Sequence, residues 1–230
     1  MNETVALPDS LRGYLSVPDG EGPWPGVVVL HEAFGLNDDI RGIADRFAAC
    51  GYVAVAPDLF SWGLSARCLV STFRDLLRRE GEAHRRVDAV GGWLAAHEAC
   101  SGRVGVVGFC MGGGFALLAA SRRAFAASAV NYGLVPKQAE ALLAGACPVV
   151  ASYGGKDRSL RGHAGRLEAA LAANGVDHDV KEYPAVSHSF MNHHEGWTTA
   201  FDRIGGFRYG AAEAEDAWAR ILGFFGRHLA

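Results

Sequence analysis

Short apolar runs alternate with helix-like segments along the whole chain, and no other feature constrains the fold as tightly. Residues 27–30, 53–56, 104–107, 127–130 and 149–153 are apolar on both faces. Such runs suit strands of a parallel sheet covered on each side by helices. Residues 11–17 are more mixed and are expected to form an edge strand, and 180–183 alternate as a last strand would. Between the runs lie expected helices at 38–50, 80–97, 111–122, 161–173 and 211–228. The first places Ile40, Ile43, Ala44 and Phe47 on one face, with Gly51 where a C-terminal cap belongs. The second carries Val87, Val90 and Leu94 at helical spacing, and Asn174-Gly175 closes the fourth with turn chemistry. This is a doubly wound α/β pattern, a mostly parallel sheet with helices on both faces. No repeat, low-complexity tract or hinge-like linker divides it, so residues 1–230 are expected to form one domain.

Charge and cysteine usage exclude several partner classes. A formal net charge of −3 gives no reason to expect nucleic acid or an anionic membrane. The arginines of residues 67–86 are interleaved with acidic residues at helical spacing and read as a solvated helix face. No apolar stretch of about 18 residues and no basic-then-apolar leader occurs, so neither a membrane span nor a targeting segment is expected. Five cysteines, odd in number and without paired spacing, read as reduced thiols of a cytoplasmic protein. Cys50, Cys68, Cys100 and Cys147 fit as small apolar residues. The chain alone leaves a monomer and a small homo-oligomer equally open.

The strongest local signal is Gly108-Phe109-Cys110-Met111-Gly112-Gly113-Gly114, which follows an apolar strand and opens a helical pattern. That is the setting of a nucleophile elbow, G-x-Nuc-x-G, with cysteine in the serine position. Side chains at Gly108 and Gly112 would collide with backbone at so sharp a turn. The helix N-terminus behind the thiol favours negative charge on sulfur. A glycine-rich turn of this kind can instead hold a phosphate, but neither phosphate fingerprint matches the spacing. An elbow needs a base and an orienting acid, in the chain order nucleophile, acid, histidine. Asp157 ends an apolar strand and His188 lies in the loop after the last strand. Asp157 would hold the imidazole in its working tautomer while His188 takes and returns the proton. Taken singly, the aspartate suits a turn or cap, and the histidine a solvated loop.

After the strand at 27–30 comes His31-Glu32-Ala33-Phe34-Gly35, in the loop that furnishes half of an oxyanion hole. The backbone N–H groups of Ala33 and Met111 are expected to converge on the developing oxyanion. Glu32 is unusual so close to a thiol and can also be read as an ion-pair or capping residue. His31 reads as a hydrogen-bonded packing residue. Phe34, Phe60, Trp62 and Tyr132 are candidates for an apolar substrate pocket, although each also suits core packing, and Asn192 is a further candidate substrate contact. His193-His194-Glu195 raises a metal reading, but adjacent side chains converge poorly and no further ligand stands at the right spacing. No metal and no cofactor is expected.

Taken together, these segments resemble the dienelactone hydrolase (carboxymethylenebutenolidase) family of the α/β-hydrolase superfamily. The resemblance runs from about Gly13 to the C-terminus. It rests on Glu32-Ala33-Phe34-Gly35, Pro57-Asp58-Leu59-Phe60, the Cys110 elbow, Asn131-Tyr132-Gly133, Gly155-Lys156-Asp157 and Ser187-His188-Ser189-Phe190. It implies an α/β-hydrolase fold and hydrolysis of a small ester or lactone, with Cys110 as nucleophile, His188 as base and Asp157 as its partner. It also implies that Glu32 pairs with a neutral thiol at rest and shifts when substrate binds, sparing the thiol from oxidation. One departure stands out. The family members that act on dienelactone hold its carboxylate with arginines, one of them four residues after the histidine, where this chain has Asn192. Loss of that bidentate partner points away from dienelactone itself. Acyl transfer or ring closure on the same triad, and a non-catalytic thiol-based binding or sensor protein, are the competing functions.

Overall fold

The computed structural model describes residues 2–63, 65–122, 124–193 and 208–230. Eight strands form one sheet: β1 (Asn2–Ala6), β2 (Arg12–Ser16), β3 (Trp24–Leu30), β4 (Val53–Asp58), β5 (Cys100–Phe109), β6 (Ala127–Asn131), β7 (Val149–Gly154) and β8 (His178–Tyr183). Their order is β1-β2-β4-β3-β5-β6-β7-β8. Strand β2 pairs antiparallel with both β1 and β4, and all neighbours from β4 to β8 are parallel. The helices are α1 (Asp38–Ala49), α2 (Ser65–Arg78), α3 (Glu82–Ala95), α4 (Met111–Ala120), α5 (Ala139–Leu142), α6 (His163–Ala173) and α7 (Ala211–His228).

Register shows how the helices divide between the faces. A Cβ on Gly26 would point at Leu94 of α3, and Gly26 stands beside Val104 in the β3–β5 ladder. A Cβ on the next residue, Gly105, would meet Leu229 and Phe225 at the end of α7. Successive strand residues face opposite sides, so α3 and α7 cover opposite faces. Helix α1 lies with α7, since the Phe47 ring sits 5.1 Å from Trp218 and 6.1 Å from Phe225. Val27, Val28, Val29 and Leu30 are fully buried, as a doubly covered strand requires. Among the described residues no helix is long and apolar enough to cross a membrane.

Helix α1 begins where its sequence says it should. The Asn37 side chain accepts the Ile40 N–H at 3.0 Å, two acids follow in the first turn, and Gly51 ends the segment at φ +84°. Two expectations need correction. Residues 11–17 do not form the edge: β2 pairs on both sides, and the edge is β1, whose side chains are almost all exposed. A strand held mainly by backbone pairing, with Val5 alone packed on the core, carries little apolar signal. The arginine-rich stretch is two helices, because Arg79 and Gly81 adopt φ +64° and +127°. Asp75 fixes the break by accepting the Ala83 N–H at 3.0 Å. Arg67, Arg74, Arg78, Arg79 and Arg85 are exposed as expected, whereas Arg86 is half-buried with its guanidinium stacked 4.3 Å from the Trp62 ring.

Away from these breaks, Arg220 straps α7 to the β7–β8 edge. It forks onto Asp179 at 2.9 and 2.8 Å and donates to the Ala151 carbonyl, the Ser152 hydroxyl and the Tyr183 hydroxyl. Arg220→Met leaves these acceptors without their donor, although half-exposed Asp179 can rehydrate. The expected loss is roughly 2 kcal/mol of unfolding free energy, read from urea titrations.

Candidate active site

The chain passes from β5 into α4 through one residue, Cys110, held at φ +53° and ψ −112°. Only missing side chains allow the turn. A Cβ on Gly108 would lie 2.0 Å from the Gly112 carbonyl oxygen, and one on Gly112 would lie 2.2 Å from that of Leu30. The Cys110 N–H donates to the Asn131 carbonyl at 3.1 Å and its own carbonyl accepts from Gly114 at 3.1 Å. The thiol is thus half-buried at the carboxyl edge of the sheet, ahead of a helix buried along its whole length.

Asp157 follows β7 and His188 follows β8, and the two meet: His188 Nδ1 donates to Asp157 Oδ2 at 2.5 Å. The other carboxylate oxygen accepts the Ser159 N–H at 2.9 Å and its hydroxyl at 2.5 Å. Asp157 therefore caps a turn and orients the imidazole at once. With Nδ1 engaged on Asp157, Nε2 is the nitrogen left to serve Cys110, whose side chain acts on the imidazole. Burial alone would lower the His188 pKa, but the bonds to Asp157 and Cys110, with their charges, raise it to about 10. For Asp157, burial pulls upward, and the His188 and Ser159 bonds overrule it and lower the pKa.

The sign of the resulting pH dependence follows from these shifts. A folded value near 10 lies above the ordinary 6.5, so the pair stabilises fully below about pH 6.5 and less as pH rises through about 10. On the acid side, the depressed Asp157 value means its contribution is present above the ordinary 3.8 and lost as pH falls through the lower folded value. The stability difference between wild type and Asp157→Asn should accordingly be larger at about pH 6 than above about pH 10. Urea unfolding at both pH values checks this, and an equal difference would contradict the raised His188 value.

Around this group, Glu32 is 3% exposed and accepts a hydrogen bond from the buried Ser189 hydroxyl. Its carbonyl lies 2.6 Å from His31 Nδ1, while His31 Nε2 accepts the Leu59 N–H at 3.0 Å. The imidazole of His31 is therefore the neutral Nδ1–H tautomer, and burial lowers its pKa. It sits edge-on to Phe60 at 4.8 Å as a packing residue. Ala33 and Phe34 form the turn after Glu32 and are half-buried, and Met111 is the first residue of α4. Trp62 donates its indole N–H to the Leu59 carbonyl at 3.1 Å.

Tyr132 and Asn192 are each 1% exposed. The Tyr132 hydroxyl donates to Asn192 Oδ1, and Asn192 Nδ2 donates to Asp39 Oδ2 at 2.6 Å. A cleft of about 550 Å³, lined among others by Phe34, Asp39, Met191, Tyr209 and Trp218, opens beside them; of the aromatic candidates only Phe34 faces it. No cluster of metal-ligating side chains occurs among the described residues; His193 stacks on Tyr209, and His194 and Glu195 lie outside the described residues. Two residues at the site escaped the sequence reading. Ser159 had a signal, the Asp-x-Ser turn pattern, whereas the bond from Ser189 to Glu32 spans 157 positions and has none.

Comparison with known proteins adds five findings. The model of a family described as the dienelactone hydrolase family matches residues 11–229. A candidate carboxymethylenebutenolidase of Yersinia pestis is 30% identical over 237 residues, covering 96% of this chain and 85% of its own. Another from Saccharolobus solfataricus is 28% identical over 94% of each chain. Among solved structures, a candidate dienelactone hydrolase of Klebsiella pneumoniae superposes with a TM-score of 0.78 at 26% identity, covering 99% of this chain and 98% of its own. A dienelactone hydrolase-like promiscuous phosphotriesterase from metagenomic libraries gives 0.84 at 26% identity, covering 100% and 99%.

Proposed function

Since the chain belongs to the dienelactone hydrolase family, with the α/β-hydrolase fold and the ester and lactone hydrolysis typical of it, we propose that it cleaves a small ester or lactone through a thioester on Cys110. The observation that carries this reading is the Asp157–His188 hydrogen bond, its imidazole acted on by the Cys110 elbow, with nucleophile, acid and histidine in the expected chain order. The Cys110 sulfur, its proton taken by His188, attacks the carbonyl carbon and the π electrons move onto oxygen. Backbone N–H groups of Ala33 and Met111 stabilise that oxyanion. Collapse expels the alcohol oxygen, which takes the proton from His188 and leaves an acyl-thioester. Water, deprotonated by His188, then attacks the thioester carbonyl; the second intermediate releases the carboxylic acid and returns the thiol. In a lactone, the alcohol and the acid leave as one molecule. Asp157 stays ionised and steadies the imidazolium. No cofactor or metal is required by this scheme.

Glu32 is read as the thiol-regulating residue, pairing with the neutral thiol at rest and moving as substrate enters. The Ser189 bond supports this, since it parks a buried carboxylate beside the site. Phe34, Phe60 and Trp62 are read as substrate contacts. The site at the sheet edge belongs to one catalytic unit spanning residues 1–230, and five free cysteines fit a reducing compartment, the cytoplasm. A panel of aryl esters, enol lactones and thioesters, with intact-mass detection of adducts, tests the reading. Turnover with an acyl adduct on Cys110 is expected. An absence of turnover and adduct across the panel would sink it.

A further inference from the structure

We propose that Tyr132 is a positioning residue for His188, its ring backing the imidazole and its hydroxyl anchoring that support through Asn192 to Asp39 on α1. The inference rests on the reading above, in which His188 is the base. Tyr132 follows β6 at φ +40°, a left-handed conformation that is strained for an aromatic residue. Its surroundings impose it. The Tyr132 N–H donates to the Ser152 carbonyl of β7 at 2.8 Å. The next residue, Gly133, is wedged against α4, where an added Cβ would lie 2.4 Å from the Gly113 carbonyl carbon.

That backbone turns the ring toward the base. Its centroid lies 5.2 Å from the His188 ring, and Phe190 closes on it from another side at 5.7 Å. At 1% exposure the ring is a wall of the base, with almost no surface left to offer a substrate. Beyond the ring a hydrogen-bonded chain begins. The phenol donates to Asn192 Oδ1, Asn192 Nδ2 donates to Asp39 Oδ2 at 2.6 Å, and Asp39 Oδ1 accepts the His193 N–H at 2.9 Å. The polarity is locked, because a flipped amide would turn its oxygen toward the Asp39 carboxylate. The phenol remains a donor, since burial, with the charges of Glu32, Asp39 and Cys110, holds its pKa well above 10.

The chain thus leaves the imidazole, crosses to the first turn of α1 and returns to the base loop at residue 193. Cys110, Tyr132 and Ser189 are three of the six non-glycine residues with positive φ among those described, and they stand at the nucleophile, behind the base and beside it. Strain gathered this way marks a place where position matters more than ease of folding. An imidazole that must face Asp157 and Cys110 together has little tolerance, since a displacement of about 1 Å can cost about a hundredfold in rate.

The test uses the full chain with Tyr132→Phe, Asp39→Asn and the double variant. Tyr132→Phe keeps the ring and removes only the anchor. With 4-nitrophenyl acetate, each single variant should lower kcat about tenfold with KM within about twofold, and the double should be no worse than the weaker single, since both cut one chain. The His188 Nδ1–H proton, followed by NMR, should exchange with solvent several times faster in each variant. Unchanged kcat, an additive loss near a hundredfold, or an unaltered exchange rate would overturn the proposal. The NMR reading needs no turnover, so it decides the positioning role even if the ester is not a substrate. The wild type against Cys110→Ala decides the hydrolase reading separately.

Discussion

Replacing Cys110 with alanine will lower turnover of the best ester or lactone at least about a thousandfold and abolish the acyl adduct. The sulfur is the only atom at the elbow that can form the thioester, and alanine leaves the oxyanion loop and the base without a nucleophile to assist. Residual rate will reflect binding and the Ala33 and Met111 N–H groups acting on water. The substitution should not unfold the protein, because the thiol is half-buried and the elbow is held by backbone bonds to Asn131 and Gly114. Equal melting temperatures with lost turnover would assign the effect to chemistry. Near wild-type turnover in Cys110→Ala would remove cysteine from the mechanism.

Gly112→Ala should do the opposite kind of damage. A methyl group there would lie 2.2 Å from the Leu30 carbonyl oxygen and 2.7 Å from that of His31. These are backbone atoms at the end of a fully buried strand, so no side chain can step aside. Either α4 slides or the loop carrying Glu32 and Ala33 moves away. The expected loss exceeds about 3 kcal/mol, more than ordinary overpacking, and shows as a collapsed melting temperature or insoluble protein. Gly223→Ala in α7 is the control, since an added Cβ there meets nothing within 4 Å. A helix interior gains from that change, by roughly 0.5–1 kcal/mol. A Gly112→Ala protein as stable as wild type would mean that the elbow is looser than its geometry indicates.

Much of this architecture was legible because it is written in local periodicity. Strands such as β3 and β4 are buried on both faces and so read as unbroken apolar runs. Helices α1 and α7 carry one apolar stripe each and were recognisable near their true ends. The meeting of Cys110, Asp157 and His188 was legible for another reason: the doubly wound topology delivers the ends of β5, β7 and β8 to one edge, so chain order becomes proximity. What escaped depends on pairing without pattern. Strand β1 is recruited mainly by backbone bonds to β2, with only Asn2 and Val5 adding side-chain contacts. The break between α2 and α3 depends on two left-handed residues and one aspartate. The Tyr132–Asn192–Asp39 chain joins residues 60 and 153 positions apart, a distance over which a sequence carries no phase.

The arrangement of the sheet edge has a wider consequence. Glu32, Cys110, Asp157 and His188 are delivered by four separate connections, after β3, β5, β7 and β8. Each connection begins and ends on buried framework, so its length and composition can drift while its neighbours stay in register. A lineage can therefore exchange what it feeds on without rebuilding how it breaks the bond. Asn192 lies on the last of these connections, and its amide is already spent on Tyr132 and Asp39.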